Sequence, residues 1–452
     1  MQGYILLALL AAAILFIVYS TARVKLHPFL ALLLASFGVG LLSGLPPDET
    51  IAAITNGFGN TLGAIGIVIA AGTIIGSLLG KSGGTVVIAN LILRWIGKAR
   101  SALAMSITGA IVSIPVFCDS GFVILSPLNR SLASKANKSL ALYAVALSMG
   151  LYATHVFVPP TPGPIAAAGT LNADIGAVII LGLVVTVPVM IATYVFATFM
   201  GNRIYIDPEA ADPAGVPAAA SPSRTDTGNP PGPFSALLPI LAPMLLIALG
   251  SIAALPAEPF GDGWPATAIL FLGDPNTALI LGVFFAFRTI RTRNAKVYGD
   301  WVGDGLKSAG VIILITGAGG AFGNVLRATN VGDFLGHTLA GWNLGILLPF
   351  LIAAALKTVQ GSSTVSIITT ASIMVPLLPG IGMAGGMGPV LVTLAIGAGS
   401  MTVSHANDSY FWVVSQFSGM DVTQAYRLQT LGSAVAGITG IMAVFLLSLL
   451  LR

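Results

Sequence analysis

Charge is scarce in this chain: Asp, Glu, Lys and Arg together make up 8% of its 452 residues, against roughly 25% in an average soluble domain. A water-facing surface over most of the chain is thereby excluded. Cysteine occurs once, at Cys118, which excludes an intrachain disulfide and any cysteine-rich metal motif. Histidine occurs four times, and no His-Glu-x-x-His run or other ligand spacing implies a metal or cofactor. The formal net charge of +4 would suit a nucleic acid only if the cations formed a stripe. They fall instead in short loops between apolar segments, as topology signals do, so no nucleic-acid partner is expected.

What the chain has in abundance is apolar length. Hydrophobic residues make up 56% of it, and runs near or above the ~20 residues that cross a bilayer recur, for example at residues 4–20, 28–44, 175–200, 236–254 and 431–451. The expectation is an all-α polytopic membrane protein. The first run lacks a positive n-region, and its first cations, Arg23 and Lys25, follow the apolar stretch, so it reads as a retained helix with its N-terminus outside.

One long polar stretch, rich in Pro, Ala, Ser and Asp, divides the chain into residues 1–202, a linker at 203–235, and residues 236–452. The two flanking parts repeat weakly. Pairing Pro28 with Pro275, an offset of 275 − 28 = 247, also pairs Phe37 with Phe284, Gly63 with Gly310, Gly72 with Gly319 and Gly76 with Gly323. Their charges change sides. Arg23 and Lys25 precede the first repeated helix, whereas Arg288, Arg291, Arg293 and Lys296 follow its counterpart; Arg94, Lys98, Arg100, Arg130, Lys135 and Lys138 meet neutral counterparts. By the positive-inside rule the two repeats are inverted relative to each other. With about five spanning helices in each, the linker is cytoplasmic and both termini lie outside. Leaving out Lys307, Arg327, Lys357 and Arg452, 20 − 4 = 16 of the Lys and Arg residues then fall inside.

Each repeat reads as scaffold helices (1–80 and 236–327), a short amphipathic segment (85–97 and 331–341), then a hairpin and a broken helix (101–172 and 344–417), and a last spanning helix. The hairpin arms are short for full spans, so re-entrant hairpins are expected. Irregular backbone at membrane depth survives only where protein or a watery cavity surrounds it, which makes the two hairpin tips and two helix breaks the candidate site. Of sixteen acidic residues, only Asp119 and Asp408 sit in these tip motifs. A carboxylate there costs several kcal/mol by insertion scales (about 2.5–3.5) and is functional, a helix cap, or both. His155 and His405, each preceded by a hydroxyl residue, stand at the entrances to the breaks, as proton carriers or as hydrogen-bonded braces for the loops. His27 and His337 read as interface residues. The candidate substrate-binding set is Ser120, Gly121, Pro160, Thr161, Pro162, Gly163, Gln360, Gly361, Ser362, Ser363, Thr364, Asn407 and Ser409. These supply hydroxyls, amides and close backbone approach, while half-helix N-termini offer partial positive charge to a carboxylate. A small organic anion with several hydroxyls fits them. Lys357, the nearest cation, is expected to snorkel to the outer surface.

Five ordered motifs resemble the gluconate permease family of bacterial proton symporters, within the wider ion transporter superfamily. They are Pro115-Val116-Phe117-Cys118-Asp119-Ser120-Gly121-Phe122, Val158-Pro159-Pro160-Thr161-Pro162-Gly163-Pro164, Gly273-Asp274-Pro275, Gln360-Gly361-Ser362-Ser363-Thr364-Val365, and Ser404-His405-Ala406-Asn407-Asp408-Ser409-Tyr410-Phe411-Trp412. The resemblance covers essentially the whole chain outside the linker. It implies uptake of gluconate or a related sugar acid or hydroxy acid across the bacterial inner membrane, driven by protons, by a homodimer with scaffold and transport domains in each protomer. Many family members carry His where Thr161 stands, which leaves the substrate open among gluconate, other aldonates, glycerate-like acids and hydroxy amino acids. An elevator-type movement of hairpins and broken helices against a static scaffold is the expected mechanism, with Asp119 and Asp408 as proton carriers and His155 and His405 next. A sodium-coupled dicarboxylate carrier or an anion exchanger would share the architecture. An intramembrane enzyme is the remote alternative: His, Asp and Ser residues do occur together, yet Asp119-Ser120-Gly121 lacks the setting of a serine elbow, and hydrophilic catalytic domains are absent.

Overall fold

The computed structural model describes residues 3–97, 100–201, 203–208, 230–254, 259–261, 263–290, 295–329, 344–405 and 408–451. Most of the expected linker, the amphipathic segment at 331–341 with His337, and Ala406 and Asn407 lie outside the described residues.

The first part of the chain runs α1 (Gly3–Ala22), α2 (Pro28–Leu42), α3 (Pro47–Lys81), α4 (Gly84–Ile96), α5 (Ser101–Val112), α6 (Cys118–Lys135), α7 (Leu140–Phe157), α8 (Pro162–Leu171) and α9 (Ile175–Gly201). The second runs α10 (Pro233–Ala253), α11 (Trp264–Gly273), α12 (Pro275–Phe287), α13 (Ala295–Ala328), α14 (Leu347–Gln360), α15 (Ser363–Met374), α16 (Gly388–Met401), α17 (Ser409–Phe417) and α18 (Val422–Leu450). α18 contains a π turn at Tyr426–Thr430. No strand occurs among the described residues. Among the described residues, five helices are long and apolar enough to cross a membrane, or up to seven if the bent α3 and the α11–α12 pair each count as one span.

Helix starts follow the sequence offset. α2 and α12 begin at Pro28 and Pro275, α8 and α17 at Pro162 and Ser409, and α9 and α18 at Ile175 and Val422, each 247 apart (275 − 28, 409 − 162, 422 − 175). The local chemistry explains the first pair. Proline suits a first helical turn because its missing N–H has no partner there anyway. The residue before it caps: His27 Nδ1 accepts from Phe29 N at 3.3 Å, and Asp274 accepts from Asn276 N at 2.9 Å. Thus His27, an interface candidate from sequence, is an N-cap.

α3 and α13 cross closely and antiparallel. A Cβ at Gly57 would lie 2.5 Å from the Gly320 carbonyl oxygen, Asn324 donates to Ala53 O at 2.8 Å, and toward the other end Ser77 donates to Trp301 O at 2.8 Å. Lys81 closes that end by pairing with Asp304. α7 and α16 form the centre of the other bundle, also antiparallel: Tyr152 donates to Ser400 O at 3.3 Å, and a Cβ at Gly397 would lie 2.6 Å from Val156 O. Every residue of both helices is buried. A helix that is apolar all round belongs in the interior of a large bundle, as here.

Two glycines let the bundles meet. At Gly72 of α3 a Cβ would stand 2.8 Å from Pro160 O in the first break, and at Gly319 of α13 it would stand 2.5 Å from Ser372 Oγ on α15. Small residues allow such close backbone approach in membranes, where dispersion rather than the hydrophobic effect holds helices together.

Candidate functional site

The hairpin tips and helix breaks form because the chain places cap residues inside apolar runs. After Gly361, which ends α14 in the left-handed region (φ +80°), Ser362 accepts from Val365 N at 3.3 Å and starts α15. Asp408 accepts from Tyr410 N at 3.1 Å and starts α17. Phe117 precedes α6, which places Asp119 in its first turn.

Three helix N-termini converge as a result. A cavity of about 230 Å³ is lined by Phe117, Cys118 and Asp119 at the start of α6, by Ser362, Ser363, Thr364 and Val365 at the start of α15, and by Asp408, Ser409 and Tyr410 at the start of α17. His155 at the end of α7 and the apolar Val311, Ile312, Ile315 and Ile368 complete it. Each N-terminus carries roughly half a positive charge and unsatisfied N–H groups, so three of them favour an anion. The volume lies below the ~300–1,000 Å³ of pockets for drug-sized ligands, which suits a small solute.

The two carboxylates differ in their surroundings. Asp408 is 3% exposed and fully engaged: Oδ2 accepts from Lys357 Nζ at 2.6 Å and from the Ser404 hydroxyl, while Oδ1 caps α17. Asp119 accepts a hydrogen bond from Ser409, but its Oδ1 is buried without a hydrogen-bond partner among the described residues. A buried acceptor left bare costs ~1–3 kcal/mol, more when charged, so proton or ligand has its largest effect there.

Lys357 corrects the expectation of a snorkelling side chain. It is 1% exposed, and Nζ donates to both Asp408 and the Gly361 carbonyl, the latter at 2.7 Å. The sequence signal was helical phase: on α14, Ala353 and Leu356 are buried while Leu347 and Leu351 are exposed, and Lys357 follows Ala353 by four, on the buried face. Ser404, in sequence the hydroxyl residue before His405, donates to Asp408 Oδ2.

The remaining candidates divide. His155 is buried with Nδ1 unpartnered among the described residues, and its ring lies 5.8 Å from that of Phe117. His405 braces the break: its Nε2–H donates to Thr358 O at 2.8 Å. Pro160, Thr161, Pro162 and Gly163 stand outside the cavity lining. The Pro159–Pro160 peptide is cis, Thr161 is buried and donates to Val158 O at 2.6 Å, and a Cβ at Gly163 would lie 2.9 Å from Ile367 Cδ1. Gly121 packs against Leu151, and Ser120 faces outward. Gln360 closes α14, its side chain outside the described residues, as is Asn407. The second break is anchored from α18, where Thr430 donates to Ser404 O at 2.5 Å and Ser433 accepts from Ser404 N at 2.8 Å. π turns concentrate at functional sites, and this one sits beside the break.

Sized for a small ligand and lined by helix ends between two antiparallel bundles, the cavity belongs to a multi-pass membrane transport protein. Comparison with known proteins makes this specific. The family model for "GntP family permease" matches residues 4–450, and the chain belongs to that family of permeases, which makes it a transporter and not an enzyme. It is 36% identical to the gluconate permease of Pseudomonas aeruginosa over 455 residues, covering 100% of this chain and 99% of that one. It is 33% identical to the D-serine transporter DsdX of Escherichia coli strain K12, covering 98% of each. The fold resembles the crystal structure of the YdaH transporter of Alcanivorax borkumensis, with a TM-score of 0.68 at 16% identity over 94% of this chain and 99% of that one.

Proposed function

We propose that the chain is a proton-coupled symporter that takes up gluconate or a related sugar acid or hydroxy acid anion across the bacterial inner membrane. The observation that carries this reading is the convergence of three helix N-termini on one small cavity beside Asp119, whose Oδ1 is buried and bare. The N-termini of α15 and α17 receive the substrate carboxylate, and Ser362, Ser363, Thr364 and Ser409 hydrogen-bond its hydroxyls. An ionised Asp119 repels the anion. A proton on Asp119 removes the repulsion, so the two ligands bind with positive coupling.

Asp408 is set aside as the proton carrier because Lys357 neutralises it. His405 is a brace, and His155 stays next to Asp119 in order. The transport unit comprises residues 101–172 and 344–417, moving elevator-fashion against a scaffold of 1–80 and 236–327, with the glycine contacts at Gly72 and Gly319 at their boundary. Inverted repeats are supported by the antiparallel run of equivalent helices, α3 with α13 and α7 with α16. Cation placement supports a cytoplasmic linker and both termini outside.

A thermal-stability panel tests substrate class. Gluconate at 100 times its Kd is expected to stabilise the purified protein by about 2.7 kcal/mol, more at acid than at alkaline pH, and uncharged sugars to have no effect. Stabilisation by the hydroxy amino acid D-serine but not by gluconate moves the substrate to that class. Stabilisation that requires sodium at fixed pH replaces the proton with sodium.

A further inference from the structure

Lys357 is the one Lys or Arg among the buried residues described. Its ammonium has three N–H groups, of which two are spent on Asp408 and Gly361 O; the ring of Tyr152 lies 5.8 Å away. The titratable groups that face it are Asp408 from the segment before α17, Tyr152 and His155 from α7, and Asp119 and Cys118 from α6. Only the two aspartates among these bear negative charge when ionised at neutral pH. Two carboxylates, Asp119 and Asp408, therefore line the cavity, while the one ammonium, outside that lining, is committed to Asp408.

Resting on the reading of Asp119 as the proton carrier, we propose that Lys357 fixes the stoichiometry of transport at one proton per substrate anion. By cancelling Asp408 it leaves a single carboxylate that must be protonated before an anion enters. Without the ammonium, Asp408 becomes a second buried carboxylate facing the substrate. Its charge has then lost its one ionic partner among the described residues, and a second proton is the available compensation. The charge balance for a monovalent anion changes accordingly: −1 + 1 = 0 per cycle with Lys357 present, and −1 + 2 = +1 without it. Lys357 is thus a charge-setting residue that acts through Asp408, with no contact to substrate required.

The test reads net charge movement. The full-length protein is reconstituted in vesicles, gluconate is the probe, and current is recorded alongside the reversal pH gradient. Wild type is expected to be electroneutral with one proton per gluconate, and Lys357→Met to carry inward positive current with two. Lys357→Met combined with Asp408→Asn, which removes both charges, should return to electroneutral transport with one proton. If Lys357→Met alone fails to fold, the paired variant decides: electroneutral uptake upholds the proposal, and its inactivity or a ratio of two overturns it. A ratio of one in both wild type and Lys357→Met overturns the proposal while leaving proton symport intact. No proton movement in wild type overturns the symport reading itself.

Discussion

Asp119→Asn is expected to abolish uphill accumulation of substrate while leaving binding and downhill exchange in place. With one proton per anion, each pH unit across the membrane is worth about 1.36 kcal/mol, or roughly tenfold accumulation. With no membrane potential, the variant should equilibrate substrate at a ratio near one whatever pH gradient is imposed. The substitution is close to isosteric, and a side-chain oxygen remains to accept from Ser409. Its neutral amide imitates the protonated carboxyl permanently. Substrate should therefore bind the variant with an affinity that no longer rises as pH falls. Counterflow of labelled for unlabelled gluconate separates loss of coupling from loss of folding: exchange at wild-type pace with accumulation gone is the expected pair of results. Accumulation that still follows the pH gradient in Asp119→Asn would move the proton to His155.

Asp408→Ala is expected to be the most damaging single change to stability. It leaves Lys357, which is 1% exposed, without its ionic partner, and removal of one member of a buried ion pair costs about 3–5 kcal/mol. The same side chain caps α17 through Tyr410 N, and loss of a cap adds about 1 kcal/mol. Ser404 loses its acceptor as well, which loosens the second break from inside although Thr430 and Ser433 still hold its backbone. Asp408→Asn should cost less, because the amide oxygen can still cap and accept from the ammonium. Thermal unfolding in detergent checks the order: wild type above Asn above Ala. An Ala variant as stable as wild type would mean that Lys357 finds another partner.

Much of this site was legible in the sequence, for a physical reason. Bilayers penalise charge and open backbone, so Asp119 and Asp408 stand out against apolar neighbours, and so do Ser362, which caps α15, and Ser409, which opens α17. Positions that packing decides were less legible. The Pro159–Pro164 run carries the strongest backbone signal in the chain, yet Thr161 is buried on its own loop and Pro160 lies against Gly72 of α3; proline and glycine report a break without reporting which way it faces. Lys357 departs from the expectation because a single lysine near a helix end ordinarily snorkels, whereas here its partner lies fifty-one positions away. Phase along α14, with Ala353 and Leu356 buried, was the available clue. His405 shows the converse: an imidazole beside a proton site whose Nε2–H is committed to Thr358 O.

Substrate-linked proton uptake tests the central claim most directly. Gluconate binding is measured by titration calorimetry in buffers of different ionisation enthalpy, near neutral pH, on wild type and Asp119→Asn. The slope of observed enthalpy against buffer enthalpy counts protons taken up on binding. A slope close to one proton in wild type and close to zero in Asp119→Asn is the predicted result. Equal slopes in the two proteins, or none in wild type, would contradict it.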